Sequence, residues 1–271
     1  MILATYNLWN DERTLISRVP ALCEEIQSVN ADVIALQEVS ASTPGYQSKA
    51  LATYIAEQSG YPYVSFRTYP DLEDADEGLA ILSKYPFEFE TAIWDSNSNF
   101  FCAIRSIVEI DSVHIAITNV HLDWRCVLNR EVQMCAVLDW INKQSKTNTV
   151  ELLCGDFNDI PDSSIHRFLQ GRQSLNGRAT KWLDLAEYWQ WRSGLNVGAT
   201  LDFAQNPRWN GVHTLQIPVR FDWIMLRQEH QCMDPEPVVS NMGLFGKTPT
   251  PVAKKVPSDH YGVFVKINFS Y

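Results

Sequence analysis

The sequence predicts an α/β (α+β) protein in which two mixed β-sheets pack against each other and carry helices on their outer faces. Short apolar runs rich in Val, Ile, Leu and Phe recur along the chain, as in buried strands. Runs with apolar residues three and four positions apart lie between several of them, as in amphipathic helices. Since no low-complexity linker divides the 271 residues, we expect one domain spanning residues 1–271.

The first part of the chain alternates predicted strands and helices. A strand at "ILATYNLW" precedes a helix whose apolar face includes Leu15, Val19 and Leu22, with Pro20 setting its first turn or kinking it. A second strand, "DVIALQEV", precedes a helix at 46–58. The segments "YPYVSFR", "GLAILS" and "FEFETAIW" are also predicted strands, and the acidic loop "DLEDADEG" separates two of them.

A predicted hairpin occupies the middle of the chain. Its strands, "FFCAIRSIVEI" and "VHIAITNVHL", meet at Asp111 and Ser112, and a helix over 130–143 follows. "VELLCGD" is the next predicted strand, with helices at 163–169 and 181–189 after it. The strands "FDWIMLR" and "YGVFVKINF" complete the pattern.

The composition argues against several functions. Lys and Arg total 22 against 32 Asp and Glu, so the net charge of -10 gives no general attraction to nucleic-acid backbones or anionic lipids. A polyanionic substrate must therefore be held locally, by bound cations or by a few Arg and Lys in a cleft. The six cysteines include no CxxC pair and suit buried thiols better than a zinc site. No leader opens the sequence and no apolar run reaches 18 residues, so we expect a cytoplasmic protein that does not span a membrane, with secretion left open if a leader has been removed. We also expect a monomer.

Polar side chains follow or precede the predicted strands. Taken singly, each has a structural explanation as a turn amide, a strand-end charge or a cap. Asp222 is the exception, because an acid inside an apolar strand needs a partner or an ion. The strands of two packed sheets can bring their ends to a common edge, so these scattered positions can form one site. They are Asn7, Glu38, His121, Asp156, Asn158, Asp222, Asp259 and His260.

Short motifs follow one another in an order that resembles a known family. They are "TYN", "LQE", "NVHL", "GDFN", "RFDWI" and "SDH", and they extend from Thr5 to His260. In order and rough spacing they resemble the endonuclease/exonuclease/phosphatase superfamily. The resemblance implies a four-layered sandwich and Mg²⁺-dependent cleavage of phosphoester bonds, with Mn²⁺ as a substitute ion.

The resemblance also implies a set of metal ligands. Glu38 corresponds to the principal Mg²⁺ ligand, assisted by Asn7 and Asp259. These residue types suit the ion, because hard Mg²⁺ prefers carboxylate, amide and water oxygens and keeps several of its waters.

The remaining residues of the motifs are implied to act on the phosphate. Asp156 and Asn158 correspond to the groups that position or deprotonate the attacking water and contact the phosphate. His121 and His260 correspond to groups that contact phosphoryl oxygens. Asp222 is implied to hold His260 in one tautomer, which is a physical reason for a buried carboxylate in an apolar strand.

Departures from the motifs of particular subfamilies indicate which branch of the superfamily the chain resembles. Secreted deoxyribonucleases are expected to have a leader and disulfides, neither of which is evident in this sequence. Abasic-site endonucleases generally have an asparagine where this chain has His121. Inositol-polyphosphate 5-phosphatases usually carry Asn-Tyr after the GD step, where this chain has Asn158 and Asp159, and Cys-Asp-Arg in the later motif. The stretches "ATLDF", "RFDWIMLR" and "PSDHYGVFVKI" are more similar to the branch that contains type-2 tyrosyl-DNA phosphodiesterases.

Tryptophans interleaved with cations lie between "GDFN" and "RFDWI". Trp182 and Trp189 suit a helix packed against the core. Trp191, Arg208 and Trp209 are candidates for substrate binding, with the rings stacking on bases and the guanidinium meeting a phosphate.

Three hypotheses of function follow from the sequence. The first is a Mg²⁺-dependent phosphodiesterase that acts on nucleic acid ends or a nucleotide-like ester. The second is a phosphodiesterase of a lipid or sugar phosphate, which the acidic net charge leaves open because it does not favour nucleic acid. The third is an inactive binding module, and the complete set of site residues argues against it.

Overall fold

The structure is a computed structural model that describes residues 1–42, 49–69, 77–94, 102–145, 148–212, 215–228 and 236–270. Its strands are β1 (Ile2–Asn7), β2 (Val33–Ser40), β3 (Tyr63–Thr68), β4 (Glu77–Ser83), β5 (Phe87–Trp94), β6 (Cys102–Ile110), β7 (Val113–His121), β8 (Thr149–Asp156), β9 (Trp182–Asp184), β10 (Asp222–Arg227), β11 (Glu236–Phe245) and β12 (Gly262–Ser270). Its helices are α1 (Leu15–Val29), α2 (Leu51–Ser59), α3 (Val127–Gln144), α4 (Ser164–Leu169) and α5 (Leu185–Ser193), with a short 3-10 helix at Pro207–Trp209.

The strands form two mixed sheets. In sheet A the order is β11-β12-β1-β2-β4-β3, and in sheet B it is β5-β6-β7-β8-β10-β9. Each sheet contains a parallel pair, β1 with β2 and β7 with β8, and each pair is joined through a helix. The flanking strands pair antiparallel. The two sheets therefore share one plan, a strand-helix-strand unit with antiparallel neighbours.

Alternation along the strands divides the apolar residues between the layers. Leu3 and Val33 of sheet A pack with Leu152 of sheet B in a buried cluster between the sheets. Their neighbours Ala4 and Ile34 belong to a second cluster that includes residues of α1 and α2. A third cluster joins α3 and α4 to sheet B. Because successive side chains of a strand point to opposite faces, the order of layers is helices, sheet A, sheet B, helices. The predicted four-layered sandwich is confirmed.

Several local predictions agree with the structure. The hairpin turns at Asp111 and Ser112, whose φ angles of 52° and 64° suit a tight two-residue turn. Pro20 lies inside α1 on an exposed position. The helix predicted at 46–58 begins at Leu51, because Lys49 and Ala50 precede it in extended or irregular conformation, and 46–48 lie outside the described part of the chain. Most of the acidic loop "DLEDADEG" also lies outside it.

Another predicted helix begins later than expected, and one strand was not predicted. The helix predicted at 181–189 begins only at Leu185, because Trp182–Asp184 pairs with β10 as a strand. The Asp184 side chain accepts the Ala186 N–H at 2.9 Å and so caps the helix. The sequence reasoning missed β11, an edge strand with a proline and a bulge between Val239 and Asn241, which together weaken the alternating pattern.

Three of the four cysteines that the structure describes as free are buried, as predicted, and Cys126 is partly exposed. Cys23, Cys126, Cys135 and Cys154 are free thiols. Burial raises the pKa of Cys23 to about 12, as expected of an inert thiol. Among the described residues, no helix is long and apolar enough to cross a membrane.

Candidate active site

The carboxyl ends of the two parallel strand pairs meet at one edge of the sandwich. In sheet A, Asn7 ends β1 and Glu38 lies near the end of β2, while His121 and Asp156 end β7 and β8 in sheet B. The Asn7 amide nitrogen donates to Glu38 Oε1 and to Asp156 Oδ2, both at 2.9 Å. A single side chain therefore links the two sheets through their carboxylates.

The antiparallel neighbours bring the other predicted residues to the same edge. Asp222 begins β10 and lies opposite Asp156, because an antiparallel strand starts where its neighbour ends. Asp259 and His260 precede β12, which runs antiparallel to β1. The chain thus places eight sequence-predicted residues around one edge, although they are spread over positions 7 to 260.

Glu38 reaches the site through a β-bulge. Gln37 and Glu38 interrupt the pairing with β4, since Leu36 pairs with Ala80 and the register resumes only at Val39. Glu38 has a φ of 52°, which is uncommon for a residue other than glycine. Its carboxylate accepts the Asn10 N–H at 3.0 Å, and its side chain is 25% exposed. The bulge therefore presents one partly accessible carboxylate at the edge.

Asp156 is an enclosed carboxylate that faces the centre of the site. It is 1% exposed, and its Oδ1 accepts the backbone N–H of Asn158 at 2.8 Å. Asn158 has a φ of 49°, and its side chain donates to the Leu122 carbonyl at 2.9 Å. These bonds fix the turn after β8, so that Asp156 has a fixed orientation at the edge.

Asp222 and His260 form a buried pair. Asp222 Oδ2 lies 2.9 Å from His260 Nδ1, and His260 Nε2 lies 3.9 Å from Asp156 Oδ2. Burial disfavours a charged imidazole, but the neighbouring Asp222, Asp156 and Asp259 raise the pKa of His260 well above its usual value. The ring therefore presents an Nε2–H donor toward the centre of the site.

His121 stands on the opposite side of Asp156. Its Nε2 lies 3.8 Å from Asp156 Oδ2 and 3.9 Å from Glu38 Oε1. Its Nδ1 is 2.9 Å from the Tyr69 hydroxyl, which orients the ring. The sequence reasoning missed Tyr69, because a tyrosine at a strand end carries no signal of its own in one sequence.

Asp259 is a buried carboxyl among charges of both signs, with His260 and Arg18 favouring its ionised form and Glu38 and Asp156 opposing it. Burial raises the pKa of its carboxyl to about 6, with Glu38 and Asp156 adding to the effect against the opposing cation of His260. A bound cation between these carboxylates would relieve the repulsion. The Asp259 backbone carbonyl accepts from Asn206 at 2.8 Å, and Ser258 donates to the Asn7 carbonyl at 2.8 Å. The "SDH" motif is thus tied to the end of β1.

A buried arginine also ties the motif to β1. Arg18 has no exposed surface and donates from one nitrogen to the carbonyls of Leu8 at 2.9 Å and Pro257 at 2.7 Å. Burial and the nearby Arg208 lower its pKa to about 10. The sequence reasoning did not select Arg18, which looked like one more polar position in an amphipathic helix.

The residues behind Asp156 and Asp222 form a buried support. Phe157 stacks on Trp223 with ring centroids 4.4 Å apart, and the edge of His166 meets Trp223 at 4.8 Å. His166 Nε2 is 2.9 Å from Asp184 Oδ2, which also accepts from Arg220 at 2.6 Å. The ion pair with Arg220 neutralises Asp184, so this group is a structural support rather than a cation site.

The predicted substrate-binding residues lie in three settings. Arg208 donates to the Val256 carbonyl and sits 5.6 Å from the centre of the Trp9 ring, next to the end of β1. Trp209 packs on Phe203 at 4.8 Å. Trp191 is 79% exposed, and within the described residues its ring contact is with Tyr188 of the same helix. Arg208 and Trp209 therefore flank the site, whereas the structure does not bring Trp191 into contact with it.

A cavity of about 400 Å³ lies beside the turns that precede Asp222 and follow Asp156. Its walls combine apolar side chains with amides, one carboxylate and one guanidinium. The lining residues are Ile160, Pro161, Glu187, Gln190, Asn196, Gly198, Ala199, Ile217, Pro218, Val219 and Arg220.

Comparison with known proteins agrees with this arrangement. The sequence profile of the endonuclease/exonuclease/phosphatase family matches residues 4–260. The crystal structure of D. rerio TDP2 complexed with single strand DNA product is similar with a TM-score of 0.73 and 18% identity, over 99% of this chain and 98% of that one. The human Nocturnin catalytic domain with bound sulfate anion gives a TM-score of 0.68 and 16% identity, over 100% of this chain and 94% of that one.

A curated relative is also similar over part of its length. It is the protein of Escherichia coli (strain K12) described as "Uncharacterized protein YbhP", with 24% identity over 161 residues. The match covers 55% of this chain and 62% of the relative, so it spans less than two thirds of that protein.

These findings define a DNase I-like fold of the endonuclease/exonuclease/phosphatase type. The chain belongs to the endonuclease/exonuclease/phosphatase family. At 16–18% identity the solved structures establish the fold, and the placement near type-2 tyrosyl-DNA phosphodiesterases stays a prediction.

Proposed function

We propose that the protein is a Mg²⁺-dependent phosphodiesterase that acts on nucleic acid ends or on a nucleotide-like ester. The observation that carries the proposal is the Asp156 carboxylate, which lies 3.8 and 3.9 Å from the imidazoles of His121 and His260. Glu38 and Asp259 stand beside this group. The arrangement combines a fixed base, two donors for phosphoryl oxygens and carboxylates for a cation at one edge.

The donor set fits a hard divalent cation. Glu38 offers a partly exposed carboxylate, and Asp259 is held among other acids with its pKa raised to about 6 by burial and by Glu38. Carboxylate oxygens suit Mg²⁺, or Mn²⁺ as a substitute. A bound ion would neutralise charge that develops on the phosphoryl and leaving oxygens.

Asn7 is oriented by its own hydrogen bonds. Its amide nitrogen faces Glu38 and Asp156, and its amide oxygen accepts the Trp9 N–H at 2.9 Å. In this orientation Asn7 holds the carboxylates in place, and its predicted role as a direct ligand stays a prediction.

The protein residues would divide the reaction between them. Asp156, held by the Asn158 N–H, would take a proton from the attacking water while the water oxygen bonds to phosphorus. The ester P–O bond would break, and its electron pair would leave with the alcohol oxygen, which then takes up a proton from solvent. His121 and His260 would donate hydrogen bonds to the phosphoryl oxygens, with Asp222 orienting His260.

The flanks of the site support a substrate with an organic group beyond the phosphate. Arg208 and Trp209 lie beside the "SDH" motif, where a cation and a ring suit a phosphate and a base. The likeness to D. rerio TDP2, whose structure is described as complexed with single strand DNA product, supports nucleic acid among the partners.

A lipid or sugar phosphodiester is the second candidate. One observation favours it: Trp124, Val127 and Leu128, just beyond His121, are 72%, 52% and 63% exposed. Exposed apolar side chains next to a catalytic edge suit an ester with an apolar part or an assembled surface. The third candidate, an inactive binding module, stays a prediction. The monomeric state and the cytoplasmic location stay predictions as well.

A panel of substrates tests the proposal. The purified protein is assayed with and without Mg²⁺ on bis-nitrophenyl phosphate, single- and double-stranded DNA, RNA, 5′-tyrosyl DNA and sphingomyelin. We expect Asp156→Asn to abolish nearly all Mg²⁺-dependent turnover, because it removes the base but keeps the shape of the side chain. Asp139→Asn, on a partly exposed ion pair with Arg178, is the matched control and should keep wild-type turnover. Wild-type activity in Asp156→Asn would refute the mechanism.

The metal assignment has its own test. Glu38→Gln should weaken Mg²⁺ binding measured by titration calorimetry and should lower turnover by orders of magnitude, while the fold stays intact. Glu57→Gln is the matched control, since Glu57 is exposed and pairs with Lys49 at 2.9 Å. Unchanged Mg²⁺ affinity in Glu38→Gln would remove Glu38 from this role.

A further inference from the structure

Two buried amides join the sheets one step inside the catalytic edge. Gln37 precedes Glu38 in β2, and Asn119 lies two residues before His121 in β7. Both side chains are 0% exposed. The Gln37 amide nitrogen donates to the Asn119 amide oxygen at 2.7 Å, across the interface between the sheets. A short polar contact of this kind inside an apolar core needs an explanation.

The other half of the Asn119 amide satisfies the bulge of the facing sheet. Its nitrogen donates to the carbonyls of Leu36 at 2.9 Å and Ala80 at 3.0 Å. Leu36 and Ala80 are the last directly paired residues before the bulge in β2. A residue of sheet B therefore fills the gap that the bulge opens in the hydrogen-bond ladder of sheet A.

The bulge decides where Glu38 points. Ile34 and Leu36 belong to the cluster that packs under α1 and α2, so strict alternation would turn residue 38 toward the same helices. The bulge breaks the alternation, and Val39 takes the next place in that cluster. Glu38, with its φ of 52°, is thereby free to reach the catalytic edge.

The amide pair also reaches β1. The Gln37 nitrogen that contacts Asn119 donates to the Thr5 hydroxyl at 3.0 Å, and Thr5 lies two residues before Asn7. Thr5 is 0% exposed. One small network is thus attached to β1, β2 and β7, the strands whose ends carry Asn7, Glu38 and His121.

We propose that Gln37 and Asn119 are positioning residues, which set the aim of Glu38 and the spacing between the two sides of the active site. The inference rests on the proposed function, in which Glu38 is the main Mg²⁺ ligand. Stability alone does not require these amides, because two apolar groups of the same shape can replace a buried hydrogen-bonded pair at little cost. Groups that orient a metal ligand, in contrast, affect metal affinity directly.

Substitutions by apolar residues of similar shape test the inference. We expect Gln37→Met, Asn119→Leu and the double variant each to weaken Mg²⁺ binding by roughly 10- to 100-fold in titration calorimetry. Turnover of bis-nitrophenyl phosphate at saturating Mg²⁺ should fall with a smaller change in KM, because the substrate-binding flanks are untouched. If Asn119→Leu fails to fold, Gln37→Met decides, since it leaves the Asn119 nitrogen on the Leu36 and Ala80 carbonyls.

The matched control is Ile115→Ala. Ile115 lies on the same face of β7 as Asn119, in the core between the sheets and further from the edge. It should lower the thermal midpoint without changing the Mg²⁺ dissociation constant. The inference is overturned if the Gln37→Met variant folds and keeps wild-type Mg²⁺ affinity and turnover while Glu38→Gln weakens Mg²⁺ binding. If Glu38→Gln leaves the affinity unchanged, the metal assignment and the inference both fall.

Discussion

Asp184 should make the stability of the protein depend on pH in a defined acid window. The Asp184 carboxylate is fully buried and accepts from His166 Nε2 at 2.9 Å and from Arg220 at 2.6 Å. Burial alone would raise the pKa of the carboxyl, but Arg220 and His166 lower it from 3.8 to about 2. The folded state therefore binds the proton more weakly than the unfolded chain, and the stabilisation is present above the unfolded pKa.

The size of the effect follows from the shift. A difference of about 2 pKa units corresponds to roughly 2–3 kcal/mol at neutral pH, using about 1.36 kcal/mol per unit. This contribution declines as the pH falls below the unfolded pKa of 3.8 and is lost as it passes the folded pKa of about 2. About 1 kcal/mol of it should already be lost at roughly pH 3.

The assay compares urea unfolding of the wild type and Asp184→Asn at about pH 7, 5 and 3. The asparagine of the variant does not titrate, so the difference in unfolding free energy between the two proteins should be smaller at pH 3 than at pH 7 by about 1 kcal/mol. At neutral pH the variant should lose roughly 3–5 kcal/mol, because the charge of Arg220, whose side chain is only 11% exposed, is left without its partner. Asp139→Asn should cost at most about 1 kcal/mol, as its side chain is 43% exposed. A difference between wild type and Asp184→Asn that stays constant from neutral to acid pH would contradict the reasoning.

Further predictions concern stability, the buried pair and the substrate. Glu151→Gln should lower the unfolding free energy in urea by roughly 3–5 kcal/mol, since Glu151 makes two 2.7 Å bonds to the buried Arg105. Asp222→Asn and His260→Ala should each lower turnover, and the double variant should lose less than the two effects combined; additive losses would mean that they act separately. Trp209→Ala should raise the KM for an oligonucleotide, because about 1–3 kcal/mol of binding free energy is lost per base contact. Cleavage of bis-nitrophenyl phosphate should be unchanged. Equal loss on both substrates would indicate that Trp209 supports the fold.

The sequence predicted the layered fold and the gathering of the polar residues at one edge, because both depend on patterns within short segments. A buried apolar run followed by apolar residues three and four positions apart predicts a strand-helix-strand unit, as in "ILATYNLW" and the helix after it, and such a unit forms a parallel strand pair. Asn7 and Asp156 each follow such a run, and strand ends of a sandwich gather at few places. Asp222 was recognisable because an acid between Phe221 and Trp223 has no solvent to face.

What the sequence did not predict depends on contacts between distant segments. β11 is an edge strand whose proline and bulge interrupt the alternation that identifies a strand. The partnership of Gln37 and Asn119 needs the register of both sheets and the position of the bulge, neither of which a single chain reveals. Trp191 was selected for its neighbours in sequence, yet α5 turns it to solvent.

The location of the site makes catalysis dependent on how the two sheets pack. Glu38 and Asp259 belong to segments of sheet A, whereas Asp156 and His121 belong to sheet B, and Asn7 bridges them with two 2.9 Å bonds. Under the proposed function, a small slip of one sheet would separate Asp156, the proposed base, from Glu38 and Asp259, the proposed cation ligands. Since misplacement of about 1 Å can cost roughly two orders of magnitude in rate, activity should be lost under mild denaturing stress before secondary structure is. Under that proposal, the polar contacts that cross the sheet interface near the edge serve the geometry of the reaction, while the apolar core between the sheets provides stability.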